Sequence, residues 1–290
     1  MNAITQITDS PVLDRVADPL SQAVRGAYRL GGSAGEELKN ATHGVWLGHP
    51  LHPVFTDVPI GAWTTALALD TAADGDAGME RAATFAIGVG LAGALGAAVT
   101  GLTDWSETRG ASRRMGLVHG LLNLAATALM AAAFVQRRRR APIGGGGGRA
   151  CAWTGYAVAA GSAYLGGTLV YDNRVGVTHA VEDPPDGFVA VADSESLGEN
   201  AMTCVHAGDA HVLLVRQHGR LHALAHSCAH LGGPLSEGTL KDGSVVCPWH
   251  GSEFRLEDGA VIDGPSTHDQ PRFDVREREG QIEVKAARGD

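Results

Sequence analysis

The sequence predicts a chain in two parts, a four-helix transmembrane bundle followed by a small all-β sandwich or barrel. Three observations carry that prediction. Four long apolar stretches lie between Val58 and Val170. From Phe188 onward the pattern changes to short strand-like runs separated by turn dipeptides. Charge is also uneven: residues 186–290 hold 17 of the 32 acidic side chains but only 9 of the 23 basic ones. A length of 290 residues agrees, since it fits two domains better than one. The formal charge is about −8 for the C-terminal part and −1 for the rest, so no basic face is available to neutralise phosphates and nucleic acid is not an expected partner.

The segments Ala82–Leu102, Met115–Val135 and Ala150–Val170 each run 21 residues without a charged side chain, enough to cross a hydrocarbon core of about 30 Å as a helix. Val58–Ala73 is shorter and contains Asp70, and reads as a fourth span that thins the bilayer or tilts in it. Gly155, Ala159, Ala163 and Gly167 recur every fourth residue and predict a face that touches another helix. Trp46, Trp105 and Tyr171 stand at span ends on one side, as an interfacial aromatic belt would. Gly144–Gly148 reads as a flexible turn.

An even number of spans puts both termini on one face, making a multi-pass cell-membrane protein with the β domain on the side of the N-terminus. The basic residues divide six against five between the two orientations, with Arg81, Arg137–Arg140 and Arg149 on one side and Lys39, Arg109, Arg113, Arg114 and Arg174 on the other. A folded domain exported through the membrane would want a twin-arginine signal just before the last span, whereas Arg113 and Arg114 precede the third, so a cytoplasmic C-terminal domain is expected. Met1–Ser10 lacks the basic start and apolar core of a cleavable signal peptide.

Upstream, Val12, Val16, Leu20, Val24 and Tyr28 recur every four residues, with Ser10-Pro11 and Asp18-Pro19 as helix-start signals. This predicts one broken amphipathic helix or two short ones, lying on the membrane surface or against the bundle. The chain thus divides into residues 1–45, an amphipathic segment; 46–180, the membrane domain; 181–186, a linker; and 187–288, the β domain. Eight strands are expected in the last, at Phe188–Ala192, Met202–His206, His211–Gln217, Arg220–Ala225, Ser244–Cys247, Phe254–Leu256, Arg272–Arg276 and Gln281–Lys285. His218-Gly219, Asp242-Gly243, Asp258-Gly259 and Glu279-Gly280 punctuate them as hairpin turns.

Two loops interrupt that pattern. One reads Cys228-Ala229-His230-Leu231-Gly232-Gly233-Pro234-Leu235, and the other Cys247-Pro248-Trp249-His250-Gly251-Ser252-Glu253-Phe254, with 16 residues between His230 and Cys247. Four cysteines are too few for a disulfide scaffold, and only these two have histidines beside them in Gly/Pro-rich loops. Two Cys and two His also suit tetrahedral zinc, but zinc modules usually pair Cys with Cys and His with His along the chain. Cys-x-His followed by Cys-x-x-His in this frame resembles the Rieske iron–sulfur family, over roughly residues 186–287.

The resemblance implies a 2Fe-2S cluster in which Cys228 and Cys247 bind one iron and His230 and His250 the other. Neutral imidazoles donate less negative charge than thiolates, so the histidine-bound iron accepts the electron and the potential rises above that of an all-cysteine cluster. Gly232, Gly233, Pro248 and Gly251 are expected to let the loops approach and to aim backbone N–H groups at sulfur. Quinol-oxidising members of the family carry a second cysteine in each loop, where this chain has Gly233 and Trp249. They also carry a serine and a tyrosine hydrogen-bonded to the cluster, where this chain has Ser252 and Phe254. These departures place the domain with the lower-potential, ferredoxin-like branch. The mononuclear-iron domain of ring-hydroxylating oxygenases has no counterpart in this sequence. The remaining domain histidines, His206, His211, His218, His222, His226 and His268, read as surface or hairpin residues.

The run Trp46-Leu47-Gly48-His49-Pro50-Leu51-His52-Pro53, followed by Asp57-Val58-Pro59-Ile60, resembles a bacterial four-span membrane family of unknown function over residues 44–181. His49 and His52 before the first span, His119 one turn into the third and His179 after the fourth lie near one membrane face. His49, His52 and His119 are candidates to hold a haem or another metal; alternatively His49 and His52 bond the entrance to a helix and His119 bonds a neighbouring helix. The sequence as a whole predicts a membrane-anchored carrier passing one electron at a time through the cluster, between redox donor and acceptor proteins or a quinone, in contact with membrane lipid. The chain itself is expected to make and break no substrate bonds. Two alternatives are a redox sensor whose cluster state controls domain docking or a partner, and a structural zinc module on a membrane anchor.

Overall fold

The computed structural model describes residues 3–139 and 148–287. Arg140 and residues 144–147 of the expected glycine turn lie outside them. The chain forms two compact units, residues 1–38 with 50–175, and residues 39–49 with 176–290. It therefore passes between the units three times, not once through a single linker.

The first unit is helical: α1 (Ala3–Thr8), α2 (Asp14–Leu30), the start of α3 (Gly32–His43), α4 (Leu51–Ala72), α5 (Ala77–Glu107), α6 (Gly110–Arg139) and α7 (Arg149–Tyr171). Asp76 caps α5 by accepting the Met79 N–H at 2.9 Å. Glycines let α4 and α5 close on each other: a Cβ added at Gly90 would fall 2.2 Å from the Trp63 ring, at Gly93 2.6 Å from Val58, and at Gly96 2.4 Å from the Phe55 ring. Trp63, Leu67, Ile87, Met130, Ala133 and Ala152 close the core. Asp70, the charge inside the expected first span, is buried in a bidentate pair with Arg137, Nη1 to Oδ1 2.7 Å.

Two helices, α5 and α6, are long and apolar enough to cross a membrane. The four-span expectation is met only in part: α4 and α7 are helices of 22 and 23 residues. Histidine, proline and two aspartates in α4, and Gly, Ser, Thr and Tyr in α7, dilute their apolar character. Phe85 and Leu95 on α5 and Leu124 on α6 point outward, exposed by 66% or more. Such side chains normally turn to the core of a water-soluble fold.

Two expectations need correction in this unit. On α7 the buried line runs Ala152, Gly155, Ser162, Leu165 and Thr168, while Ala163 is exposed. A strict four-residue step drifts about 40° per repeat on a helix of 3.6 residues per turn, so Gly155 and Ala163 cannot share one narrow face. Trp105 is buried, not interfacial, and its indole N–H donates to Arg113 O at 2.8 Å. Of the two forms expected upstream, α2 is the single helix, with Pro19 inside it and a 3-10 turn at Pro11–Leu13 before it. Its Val12–Val16–Leu20 stripe is exposed, and it buries Ala17 and Ser21 instead. Polar contacts hold that face: Arg113 to Asp18 at 2.7 Å, Arg25 to Ser106 O at 2.7 Å and Tyr28 to Thr103 at 2.7 Å.

The second unit is all-β apart from residues 39–49. Its antiparallel strands are β1 (Val189–Asp193), β2 (Ala201–Ala207), β3 (Ala210–Gln217), β4 (Arg220–Ala225), β5 (Thr239–Lys241), β6 (Ser244–Val246), β7 (Glu253–Arg255), β8 (Val261–Asp263), β9 (Phe273–Arg278) and β10 (Gln281–Ala286). They make three sheets, ordered β1-β10-β9, β2-β3-β4 and β5-β6-β7-β8. The eight expected strands are present within a residue or two, and β5 and β8 are additional three-residue strands. His218-Gly219 and Glu279-Gly280 have both φ angles positive, as a two-residue hairpin turn requires. The core gathers Leu213, Leu214, Leu224, Phe254, Leu256 and Ile282 with Cys228 and Cys247.

Candidate metal centre

The two cysteine loops leave the core between β4 and β5 and between β6 and β7, and they share one backbone design. Cys228 N–H donates to Gly233 O at 2.9 Å and Gly232 N–H returns to Cys228 O at 2.8 Å. In the second loop Cys247 N–H donates to Ser252 O at 2.8 Å and Gly251 N–H to Cys247 O at 3.2 Å. Each returning glycine stands four residues after its cysteine with a left-handed φ, 76° at Gly232 and 83° at Gly251, a conformation that disfavours a side chain. Each loop thus closes on its cysteine and carries its histidine on the crest.

The loops meet at Gly233, where an added Cβ would lie 2.8 Å from Cys247 Sγ and 3.1 Å from the Trp249 ring. The thiols of Cys228 and Cys247 are hydrogen-bonded to each other. The His230 and His250 rings are 5.0 Å apart, edge to face. Two sulfurs and two imidazoles therefore form two like pairs. Among the described residues no three His, Cys, Asp or Glu side chains gather as a single metal ion would need, whereas a tetrahedral zinc draws four donors to one point.

Electrostatics reflect the crowding of like groups in each pair. The bond to Cys247 and then burial push the Cys228 thiol up, while the backbone N–H groups of His230 and Leu231 work the other way. Burial first, then the charges of His250, His43, Lys39 and His179, hold His230 well below the usual histidine range. It is a neutral imidazole, and its buried Nδ1 has no hydrogen-bond partner, the form in which imidazole binds metal.

Support comes from behind the loops. Gln270, 1% exposed, accepts Ala229 N–H at 2.9 Å and donates to Ala225 O and Ser227 O, both at 2.7 Å. Ser252 is fully buried and its hydroxyl accepts Ser266 N–H at 3.0 Å. Phe254 is fully buried on β7, opposite Val245. Pro248 and Trp249 are exposed. His179 N–H donates to Ala229 O at 3.0 Å. Nothing in the local motif pointed to Gln270 or to the His179 backbone; a glutamine between turn residues carries no pattern until the fold brings it under the loop.

Residues 187–274 match the family model described as Rieske [2Fe-2S] domain, and residues 48–179 match Predicted membrane protein (DUF2231). Human apoptosis-inducing factor 3 is 35% identical over 118 residues, covering 40% of this chain but only 20% of that protein. Ferredoxin CarAc of Metapseudomonas resinovorans is 32% identical over 77 residues, covering 27% of this chain and 72% of the ferredoxin. The chain belongs to the Rieske [2Fe-2S] family. Among solved structures, the ferredoxin of carbazole 1,9a-dioxygenase from Nocardioides aromaticivorans IC177 superposes with a TM-score of 0.34 at 23% identity, over 35% of this chain and 100% of that one.

The Rieske domain binds a 2Fe-2S cluster, and ferredoxins among its relatives transfer electrons. The donor set fits such a group: a buried thiol pair, an imidazole pair with an unsatisfied Nδ1, and a glycine where any Cβ would intrude.

Of the three further histidine candidates, His52 and His119 lie in the helical unit. His119 uses both ring nitrogens, Nδ1 with Ser162 O at 2.8 Å and Nε2 with Asn123 at 3.1 Å. His52 Nδ1 bonds Ala97 O at 2.9 Å. His49 belongs to the other compact unit, edge-on to His268 at 6.0 Å. In the helical unit, His52 Nδ1 and His119 Nδ1 thus bond to neighbouring helices, and His119 Nε2 bonds within α6.

Proposed function

We propose that this chain is a membrane-anchored one-electron carrier. Cys228 and Cys247 hold one iron of the cluster, and His230 and His250 hold the other. The observation that carries this assignment is the pairing itself, with thiol beside thiol and imidazole beside imidazole on two loops of matching backbone design. The cluster, when bound, supplies reversible one-electron chemistry, with the electron on the histidine-bound iron. The protein's part is to fix the donors, exclude water from the sulfurs and direct N–H dipoles at Cys228. Trp249, 45% exposed next to His250 at 6.3 Å between ring centroids, offers a contact surface for a redox partner, either a protein or a lipid-borne quinone.

The anchor in this proposal is a four-span bundle of α4 to α7. The outward apolar side chains and the membrane-family match support it. Connectivity adds a constraint, because residues 39–49 and 176–290 form one compact unit, so the number of crossings between residues 50 and 175 is even. The exposed Val12–Val16–Leu20 stripe of α2 suits a helix on the lipid surface. The domain faces the cytoplasm.

Redox titration of the membrane-extracted protein with low-temperature paramagnetic resonance tests the assignment. A Rieske-type signal is expected from the wild type and from neither His230→Ala nor His250→Ala, with membrane insertion intact in all three. A normal signal in both variants overturns the ligand set.

A further inference from the structure

Residues 39–49 were expected to belong to the amphipathic segment and the start of the membrane domain, yet they fold as part of the cluster unit. Asn40 fastens them. Its amide Nδ2 donates to Asp263, and its Oδ1 accepts Gly264 N–H at 3.0 Å. Val45 packs so closely that a Cβ at Gly264 would fall 2.8 Å from it. At the far end of the segment the His49 ring meets His268. Four contacts thus land on a single stretch, Asp263–His268, whose Ser266 also holds the hydroxyl of Ser252 beneath the second cysteine loop. Between these fastenings His43 is buried, 2% exposed.

We propose that Lys39–His49 is a positioning strap of the metal centre, latched by Asn40 to Asp263 and Gly264, which keeps the Lys39 charge within electrostatic reach of His230. This rests on the ligand assignment above. His43 and Lys39 both act electrostatically on the His230 ring, so the latch fixes how much positive charge faces the imidazole-bound iron. Reduction adds one negative charge there, and a cation held nearby stabilises the reduced state. Unfastening the strap lets that cation move into water, where its effect is screened. The strap thereby raises the potential of the cluster.

The test uses the full-length protein and reads the midpoint potential by paramagnetic titration together with amide exchange of residues 39–49 and 263–268. Asn40→Ala should lower the potential and speed exchange at Gly264 by about fivefold or more, the loss of one ordinary hydrogen bond, with iron and acid-labile sulfide per chain unchanged. The swap Asn40→Asp with Asp263→Asn keeps both hydrogen bonds and the net charge, and should restore both readouts. Lys39→Met should lower the potential without faster exchange at Gly264, and it decides the matter alone if Asn40→Ala does not fold. A wild-type potential in Lys39→Met, or in a folded Asn40→Ala, overturns the strap. Absence of a Rieske signal from the wild type would instead overturn the ligand assignment.

Discussion

Gly233 stands so close to Cys247 that a Cβ at position 233 would lie 2.8 Å from the sulfur. The two loops carrying the cysteines can touch only because one has no side chain at that point. Real Cβ atoms do not approach sulfur so closely, so Gly233→Ala must displace Cys247 or the Trp249 ring. Overpacking of this kind costs about 1–3 kcal/mol, concentrated at the thiol pair. We expect Gly233→Ala to purify with most of its iron and acid-labile sulfide lost while the circular dichroism of the β domain persists. Full cluster occupancy in this variant would mean that the loops part without cost.

Gln270 serves the first loop from below, satisfying one N–H and two carbonyls at once. Truncation leaves three buried backbone groups without partners, at about 1–3 kcal/mol for each that water cannot reach. Gln270→Ala should therefore lower domain stability by about 3 kcal/mol, read as a fall in Tm. Gln270→Glu should also destabilise, because a carboxylate cannot donate to Ala225 O and Ser227 O. Wild-type stability in both variants would show that the loop does not depend on this clamp.

Phe254→Tyr adds one hydroxyl to a fully buried ring on the strand that follows the second loop. A hydroxyl donating to the cluster region stabilises the charge gained on reduction, so a higher midpoint potential is expected. An unchanged potential with a lower Tm would place the hydroxyl in the apolar core instead.

The sheet bearing the second loop should respond to acid through Glu253. Burial pushes its carboxyl up, but bonds from Lys241 Nζ at 2.5 Å and from Ser244 Oγ outweigh that and hold it below the usual value. A carboxylate with a depressed folded-state pKa contributes stability above its unfolded value, about 4.3 for glutamate, and that contribution is lost as pH falls through the lower folded value. Glu253→Gln should thus destabilise the domain at pH 7 and flatten the loss of stability below pH about 4.3. Parallel acid melting curves for wild type and variant would refute the coupling.

Local pattern was enough to locate the strands, their hairpin turns and both cysteine loops, because alternation, Asx- or Gly-type turns and ligand spacing are properties of neighbours in sequence. It also located the apolar helices, since each depends on an uninterrupted run. The α7 face was misplaced because a small-residue repeat states which residues can pack but not the angle at which the partner helix arrives. Trp105 was misplaced for a related reason: an indole at a span end belongs to lipid or to Arg113 O according to what α6 brings beside it.

By itself the sequence determined that two domains exist, that one is apolar and helical and the other a β domain, and which four side chains have the chemistry for a paired-iron site. Tertiary structure alone decided that Cys228 lies beside Cys247 and His230 beside His250, that Gln270 supports the first loop, and that His119 spends its nitrogens on neighbours. It also assigned Lys39–His49 to the cluster unit, a placement set by Asn40 meeting Asp263 and Gly264 across more than 220 residues. Contacts of that range carry no periodicity in the chain, because folding, not spacing, chooses the partner.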